Sequence, residues 1–345
     1  MTVRVGVLGA TGAVGQRLIQ LIDPHPDFEL AAVTASESSA GKSYREAAKW
    51  RIDAPIPDHI SEMEVVATAA DEVPDDVDLI FSSLPSSVGA EVEPDFCEAG
   101  YVVSSNSSNG RMDEDVPLII PEVNADHLDV LEVQRDERGW DGALLKNPNC
   151  STITMVPPLK ALDDEYSLTD VTVSTLQAVS GAGYSGVTSM EIIDNAIPHI
   201  GGEEQKMESE SRKLLGSFDG AEVHLHDMGV AASCNRIATI DGHLENVWAD
   251  TADDVTAEGA AETLAAMPNI DLPSSPETLI EVFEEPERPQ PRLDRSLGNG
   301  MTVSAGGFRE TDDGVQFNCL SHNTMRGAAG ASVLNGELLA EHGYI

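Results

Sequence analysis

The chain has 345 residues, with 60 Asp+Glu against 20 Lys+Arg, a formal net charge of −40 and a sequence pI of about 4.2. A charge of that size and sign repels nucleic acid and anionic membrane, and so excludes both as partners. A hydrophobic content of 41%, with apolar periodicity throughout, excludes a disordered acidic protein.

The length allows two domains, each with its own core. Aromatics make up only 4%, so Val, Ile, Leu and Ala must fill the interior. The carboxylate-rich composition predicts a folded protein working in high salt, since at about 1 M the Debye length is about 3 Å and self-repulsion is screened. A halophilic source and loss of structure in dilute buffer are the expectation. Cys97, Cys150, Cys234 and Cys319 lie far apart without CxxC spacing, which indicates neither a disulfide framework nor a zinc site. The chain opens directly on a strand pattern without the marks of a secretory signal. No apolar run approaches the about 20 residues that span a bilayer, and a soluble, cytoplasmic protein is expected.

Val3 to Leu8 reads as a buried strand, Gly9-Ala10-Thr11-Gly12-Ala13-Val14-Gly15 as a glycine-rich turn, and Gln16 to Ile22 as a helix. That succession is the dinucleotide-binding opening of a doubly wound sheet, with a pyrophosphate at the helix N-terminus. Gly9, Thr11, Gly12, Ala13, Val14 and Gly15 are the candidate contacts. The strand Glu29 to Thr34 should end near the adenosine ribose. The loop after it holds Ser36, Ser38, Ser39 and Lys42, whose hydroxyls and ammonium suit a 2′-phosphate and favour NADP; Glu37 argues the other way.

Val77 to Pro85 is a further strand, and its end at Ser83 and Leu84 passes the cofactor. Tyr101 to Ser105 leads into the polar loop 106–111, where Arg111 suits an anion site. An acidic helix follows Pro117 to Asn124, and Ala143 to Leu145 delivers Lys146-Asn147-Pro148-Asn149-Cys150-Ser151-Thr152. A thiol at a helix start sees the macrodipole and free amides, so a thiolate is expected at Cys150. From about residue 165 longer alternating runs predict an α+β second domain, with helices over 184–195, 203–216 and 255–266. An extended loop is expected over 284–300, and a final helix over 327–342 returns to the first domain. The predicted division is 1–147, completed by 326–345, and 148–325.

Four further pieces converge on Cys150: Gln177 before a glycine run, Glu203 and Lys206 on one helix face, Arg236 leading into a strand, and His243 seven residues on. With GATGAVG, TASESSAGK, NSSNGRM, LIIPEVN, NPNCST, TLQAVSGAGYSG, EEQK, CNRIATIDGH, PQPRLDR and SHNTMRGAAGAS, the chain resembles aspartate-semialdehyde dehydrogenase of the archaeal and fungal branch. Gly110 before Arg111 departs from the larger residue expected there.

The resemblance implies that Cys150 is the nucleophile that forms an acyl-enzyme thioester. It makes His243 the acid/base catalyst and Gln177 the group orienting the substrate. Arg236 would hold the substrate α-carboxylate and Glu203 its ammonium, with Lys206 and Arg111 on the phosphate. Gly181 and Asn323 join the cofactor contacts. The implied reaction is NADPH-dependent reductive dephosphorylation of L-aspartyl-4-phosphate, in a homodimer or homotetramer formed through the second domain. Helix-start amides would hold the oxyanion. No metal is expected, because His224 and His226, the best candidates, lack a third ligand. The alternatives are a related thioester-forming reductase acting on N-acetylglutamyl phosphate or malonyl-coenzyme A, and a non-enzymatic nucleotide sensor that kept the fold.

Overall fold

The computed structural model describes residues 2–184 and 186–345. In the first half β1 (Val3–Leu8), α1 (Ala13–Ile22), β2 (Phe28–Ala35) and the short helices α2 (Tyr44–Ala47) and α3 (Asp58–Ser61) lead to β3 (Val65–Ala67) and β4 (Leu79–Ser82). Then come α4 (Ser86–Glu98), β5 (Val102–Ser105), α5 (Pro121–Asn124), α6 (Val130–Arg138) and β6 (Ala143–Lys146). The six strands form one parallel sheet in the order β3-β2-β1-β4-β5-β6. Both faces are covered, which is why β4 (LIFS) and β6 (ALLK) are buried at every position.

The second half runs α7 (Thr152–Tyr166), β7 (Leu168–Gln177), α8 (Ser189–Ile192), α9 (Glu203–Leu214), and a small ribbon of β8 (Ser217–Phe218) and β9 (Val223–His224). It continues with β10 (Gly229–Arg236), β11 (His243–Thr251), α10 (Ala257–Ala265), β12 (Ile280–Phe283), α11 (Pro291–Asp294), β13 (Val303–Glu310), β14 (Gly314–Ser321) and α12 (Gly330–Glu341). Its mixed sheet has the order β10-β7-β11-β14-β13-β12. Val171, Val173, Thr175 and Gln177 of β7 are buried while Thr172 is exposed and Ser174 half-exposed, the alternation of a sheet with one covered face. The covered face carries the chemistry: Gln177 pairs with Arg236, and His243 with Ser321, at one end of the sheet.

The C-terminal helix returns to the first sheet, as expected. Val333, Leu338 and Leu339 join the core around Val5, Val7 and Phe81. Gly336 allows the close approach, because a Cβ there would lie 2.8 Å from Leu79 and Phe81.

Several elements differ from the sequence expectation. The helix expected over 184–195 reduces to the single turn Ser189–Ile192, since Gly183, Gly186 and Asp194 have positive φ; Ser185 lies outside the described residues. The extended loop over 284–300 contains α11, held by an Arg288–Asp294 ion pair and the Gln290 amide on Asp294. The final helix is preceded by a π-helical turn at Met325–Ala329. Helix α4, with Pro94 inside it, has no counterpart in the predicted elements.

Candidate active site

Asn149 shapes the loop that carries the thiol. Its Oδ1 accepts from the amides of Ser151 (2.8 Å) and Thr152 (3.2 Å), capping α7, and its own amide donates to Glu210 Oε2 at 2.6 Å. Cys150 precedes the helix start, with Sγ 3.3 Å from His243 Nε2. The expected thiolate is replaced by a neutral pair. Burial, and then the charge of Glu203, push the Cys150 thiol up to about 12 against the pull of Arg236 and Arg111. Burial, and then Arg236, take His243 down to about 3. The helix start cannot offset this because Asn149 already occupies its amides, which also removes Ser151 and Thr152 as oxyanion donors. The His243 Nδ1 receives the Ala178 amide at 3.1 Å, while a Gly242 backbone hydrogen bond favours protonation of the ring.

Beside this pair Gln177 is 1% exposed, and among the described residues neither atom of its amide has a hydrogen-bond partner. A buried polar group left unmade costs about 1–3 kcal/mol, so this amide is open to a further hydrogen-bond partner. Arg236 Nη1 donates to the Ala178 carbonyl at 2.6 Å, behind Gly181, where a Cβ would crowd the guanidinium at 2.8 Å. Glu203 is buried, accepts from Asn149 Nδ2 at 2.9 Å, and lies 3.4 Å from Lys206 Nζ. Arg111 pairs with Glu210 at 2.8 Å and donates to the Asn106 carbonyl at 2.8 Å, leaving Nε without a partner.

These groups surround a cavity of about 290 Å³ between the two sheets. Ala13, Val14, Leu84, Arg111, Cys150, Gly181, Lys206 and Asn323 line it. Gln177, Glu203, Arg236 and His243 stand behind its wall. Ser36, Ser38, Ser39 and Lys42 lie apart, beyond the end of β2, where Lys42 Nζ donates to the Ser38 carbonyl at 2.6 Å.

The glycine turn fits a dinucleotide. Gly9 has φ +71°, Gly12 leads α1 with no side-chain cap, and a Cβ on Gly15 would collide with the Gly9 carbonyl. The cradle therefore stays open to a phosphate at the uncapped helix start. Thr11 is fixed by Gln16 Nε2 on its carbonyl (2.9 Å) and Ser83 Oγ by the Leu8 carbonyl (2.8 Å). Asn323 is similarly engaged, donating to Ser180 Oγ and accepting from the Gly242 amide, each at 2.8 Å.

Sequence reasoning missed Asn149, Glu210 and Gly327. Glu210 had a signal, since it lies two turns from Glu203 on the face of α9 that carries the site. Gly327 had none: a Cβ there would lie 2.7 Å from Cys150 Cβ, a contact made only by folding. His224 and His226 engage different carboxylates, Asp219 at 2.9 Å and Asp163 at 3.2 Å. Among the described residues Asp219, Glu222 and His224 form one exposed group of possible ligands.

Residues 4–131 match the family described as semialdehyde dehydrogenase, NAD binding domain, and residues 159–326 match semialdehyde dehydrogenase, dimerisation domain. The chain is 50% identical to aspartate-semialdehyde dehydrogenase of Archaeoglobus fulgidus, with 100% of each chain covered. It is 44% identical to that of Schizosaccharomyces pombe, with 99% of each covered. Its fold superposes on the crystal structure of aspartate-semialdehyde dehydrogenase with NADP from Candida albicans with a TM-score of 0.91 at 38% identity, covering 100% of both chains.

Proposed function

The chain belongs to the aspartate-semialdehyde dehydrogenase family, and from that premise we propose how its own residues carry out the reaction. The activity is the NADPH-dependent reductive dephosphorylation of L-aspartyl-4-phosphate to L-aspartate-4-semialdehyde, and NADP is the cofactor. Arg236 takes the substrate α-carboxylate in a fork, Glu203 takes its ammonium, and Arg111 and Lys206 take the phosphate. Gln177, whose amide has no protein partner, holds the acyl group beside Cys150.

The Ala178 amide on Nδ1 puts the resting proton of His243 on Nε2, so the ring gives up that contact and carries its proton on Nδ1 before Nε2 presents a lone pair to the thiol 3.3 Å away. It accepts the thiol proton as the S–C bond forms and the C–O bond to phosphate breaks, leaving a thioester. Arg111 and Lys206 neutralise the departing phosphate. NADPH, when bound, supplies a hydride to the thioester carbonyl. His243 then returns its proton, so that the free thiol and the aldehyde remain. The Gly242 backbone hydrogen bond, which favours the protonated ring, supports that exchange.

The observation that carries this reading is the Cys150–His243 contact beside the unpartnered Gln177 amide. Cys150→Ser should abolish turnover and leave NADP binding intact; an active variant would contradict the covalent route. The free-amine substrate is favoured over N-acetylglutamyl phosphate or malonyl-coenzyme A because the charges of Glu203 and Arg236 both act on Cys150, a carboxylate for an ammonium and a guanidinium for a carboxylate. Phosphate-dependent NADP reduction with aspartate semialdehyde, absent with the N-acetylglutamate aldehyde, is the expected result.

The open face of the second sheet, with Trp248 exposed at its centre, is the homodimer face, with a tetramer as a pair of such dimers. The division into 1–147 with 326–345, and 148–325, is supported by a core that unites Val5 and Leu145 with Val333. The charge of −40 supports a halophilic source. Among the described residues no helix is long and apolar enough to cross a membrane.

A further inference from the structure

A second cavity, of about 530 Å³, lies behind the turn that carries His243 and shares no lining residue with the first. Its walls come from both halves of the chain: Arg17 on α1, Asp53 beyond α2, Asp241 in the β10–β11 turn, and Arg295 just after α11. The side chain of Arg17 donates to Gln20 Oε1 at 3.0 Å and that of Arg295 to the Asp241 carbonyl at 3.1 Å. Among the described residues neither guanidinium, nor the carboxylate of Asp53 or Asp241, forms an ion pair. In a chain with 60 acids and 20 bases, two arginines sharing a cavity without a carboxylate partner leave a local field for a ligand to answer. His322, buried in the same wall, feels Asp241, Arg17 and Arg295 together, so these charges face one space.

Two guanidiniums and two carboxylates are the complement of a zwitterion. A carboxylate can take Arg17 and Arg295, and an ammonium beside it can take Asp241 and Asp53. A simple anion would be repelled by the aspartates, and a simple cation by the arginines. The volume is within the range of small-molecule sites.

The wall is also tied to the catalytic base. Asp241 lies two residues before His243, and Arg295 holds its carbonyl. The intervening Gly242 amide donates to Asn323 Oδ1 at 2.8 Å, next to His322. We infer that this cavity between the two halves is an effector site for a free α-amino acid, whose binding resets the Asp241-Gly242-His243 turn and changes turnover without competing with substrate.

The test uses the NADP-loaded enzyme in high KCl with each of the twenty protein amino acids at about 10 mM, enough to fill a site of millimolar Kd. The expected result is that at least one raises Tm and changes kcat by about fivefold or more, leaving KM for aspartate semialdehyde unchanged. Both effects should vanish in R17Q and in D53N, whose kcat without amino acid stays near that of the parent, and neither acetate nor methylammonium should reproduce them. The proposal is overturned if none of the twenty acts, if the effect is competitive, if KCl, acetate or methylammonium alone matches it, or if it survives both substitutions. The Tm shift is read without turnover, so its failure is distinguishable from failure of the assigned reaction.

Discussion

At the scale of single residues the site is a neutral thiol held ready for deprotonation. Burial keeps Cys150 near 12, so the rate of its alkylation by iodoacetamide in the free enzyme should keep rising with pH through 9. A plateau near pH 7 would mean a standing thiolate–imidazolium pair. His243 is held near 3, below its unfolded value of about 6.5. Its contribution to stability is therefore complete above pH 6.5 and is lost as the pH falls toward 3. Relative to His243→Asn, the parent should lose Tm on acidification across that window; a constant gap would contradict a neutral buried ring. Glu210 bonds both Arg111 and the Asn149 amide, coupling the arginine proposed to bind phosphate to the loop that carries Cys150. Hydrogen bonds to charged groups contribute about 1.5–3 kcal/mol, so Glu210→Gln should raise the phosphate KM roughly tenfold or more, and an unchanged KM would remove Glu210 from the site.

At the scale of elements, two features place the thiol. The π-helical turn at Met325–Ala329 brings Gly327 against Cys150. Gly327→Ala would force the two Cβ atoms to 2.7 Å, so activity should fall by orders of magnitude while the fold survives; a fully active variant would show that the turn yields freely. Beneath β5 and β6, Lys146 Nζ meets Glu93 Oε2 at 2.5 Å with both side chains fully buried, and Ser82, Ser105 and Ser107 donate to the same carboxylate. Lys146→Met leaves that charge unpaired and should destabilise by about 3–5 kcal/mol, with the Glu93→Gln, Lys146→Met pair recovering much of it in urea unfolding. The parallel strands, the glycine turn and α9 were legible in the sequence because period and punctuation are local signals. Helix α4 was not, since its one buried acid, Glu93, and Pro94 blur an apolar face that is set by contact with Lys146. The thiol's charge state was also illegible: it follows from burial and from Asn149 occupying the helix amides, neither of which is written in local order.

At the scale of the whole molecule the charge and the open sheet face govern behaviour. A net charge of −40 repels itself once screening is withdrawn, so Tm should rise steeply with KCl from dilute to molar concentration; equal Tm at both ends would contradict adaptation to salt. Trp248 is exposed on the outer face of the mixed sheet, between the exposed Thr172 and the buried Gln316. Trp248→Asp should shift the assembly toward monomer in light scattering, whereas an unchanged mass would place the interface elsewhere. The proposed mechanism, with the glycine cradle in one half and His243 in the other, makes redox and phosphate release separate events joined by one thioester on Cys150. Mixing enzyme, aspartate semialdehyde and NADP without phosphate, then analysing the Cys150 peptide by mass spectrometry, tests this directly. The account predicts a burst of one NADPH per chain that stops, an aspartyl group on Cys150, and turnover resuming when phosphate is added. Absence of both the burst and the Cys150 adduct would contradict it.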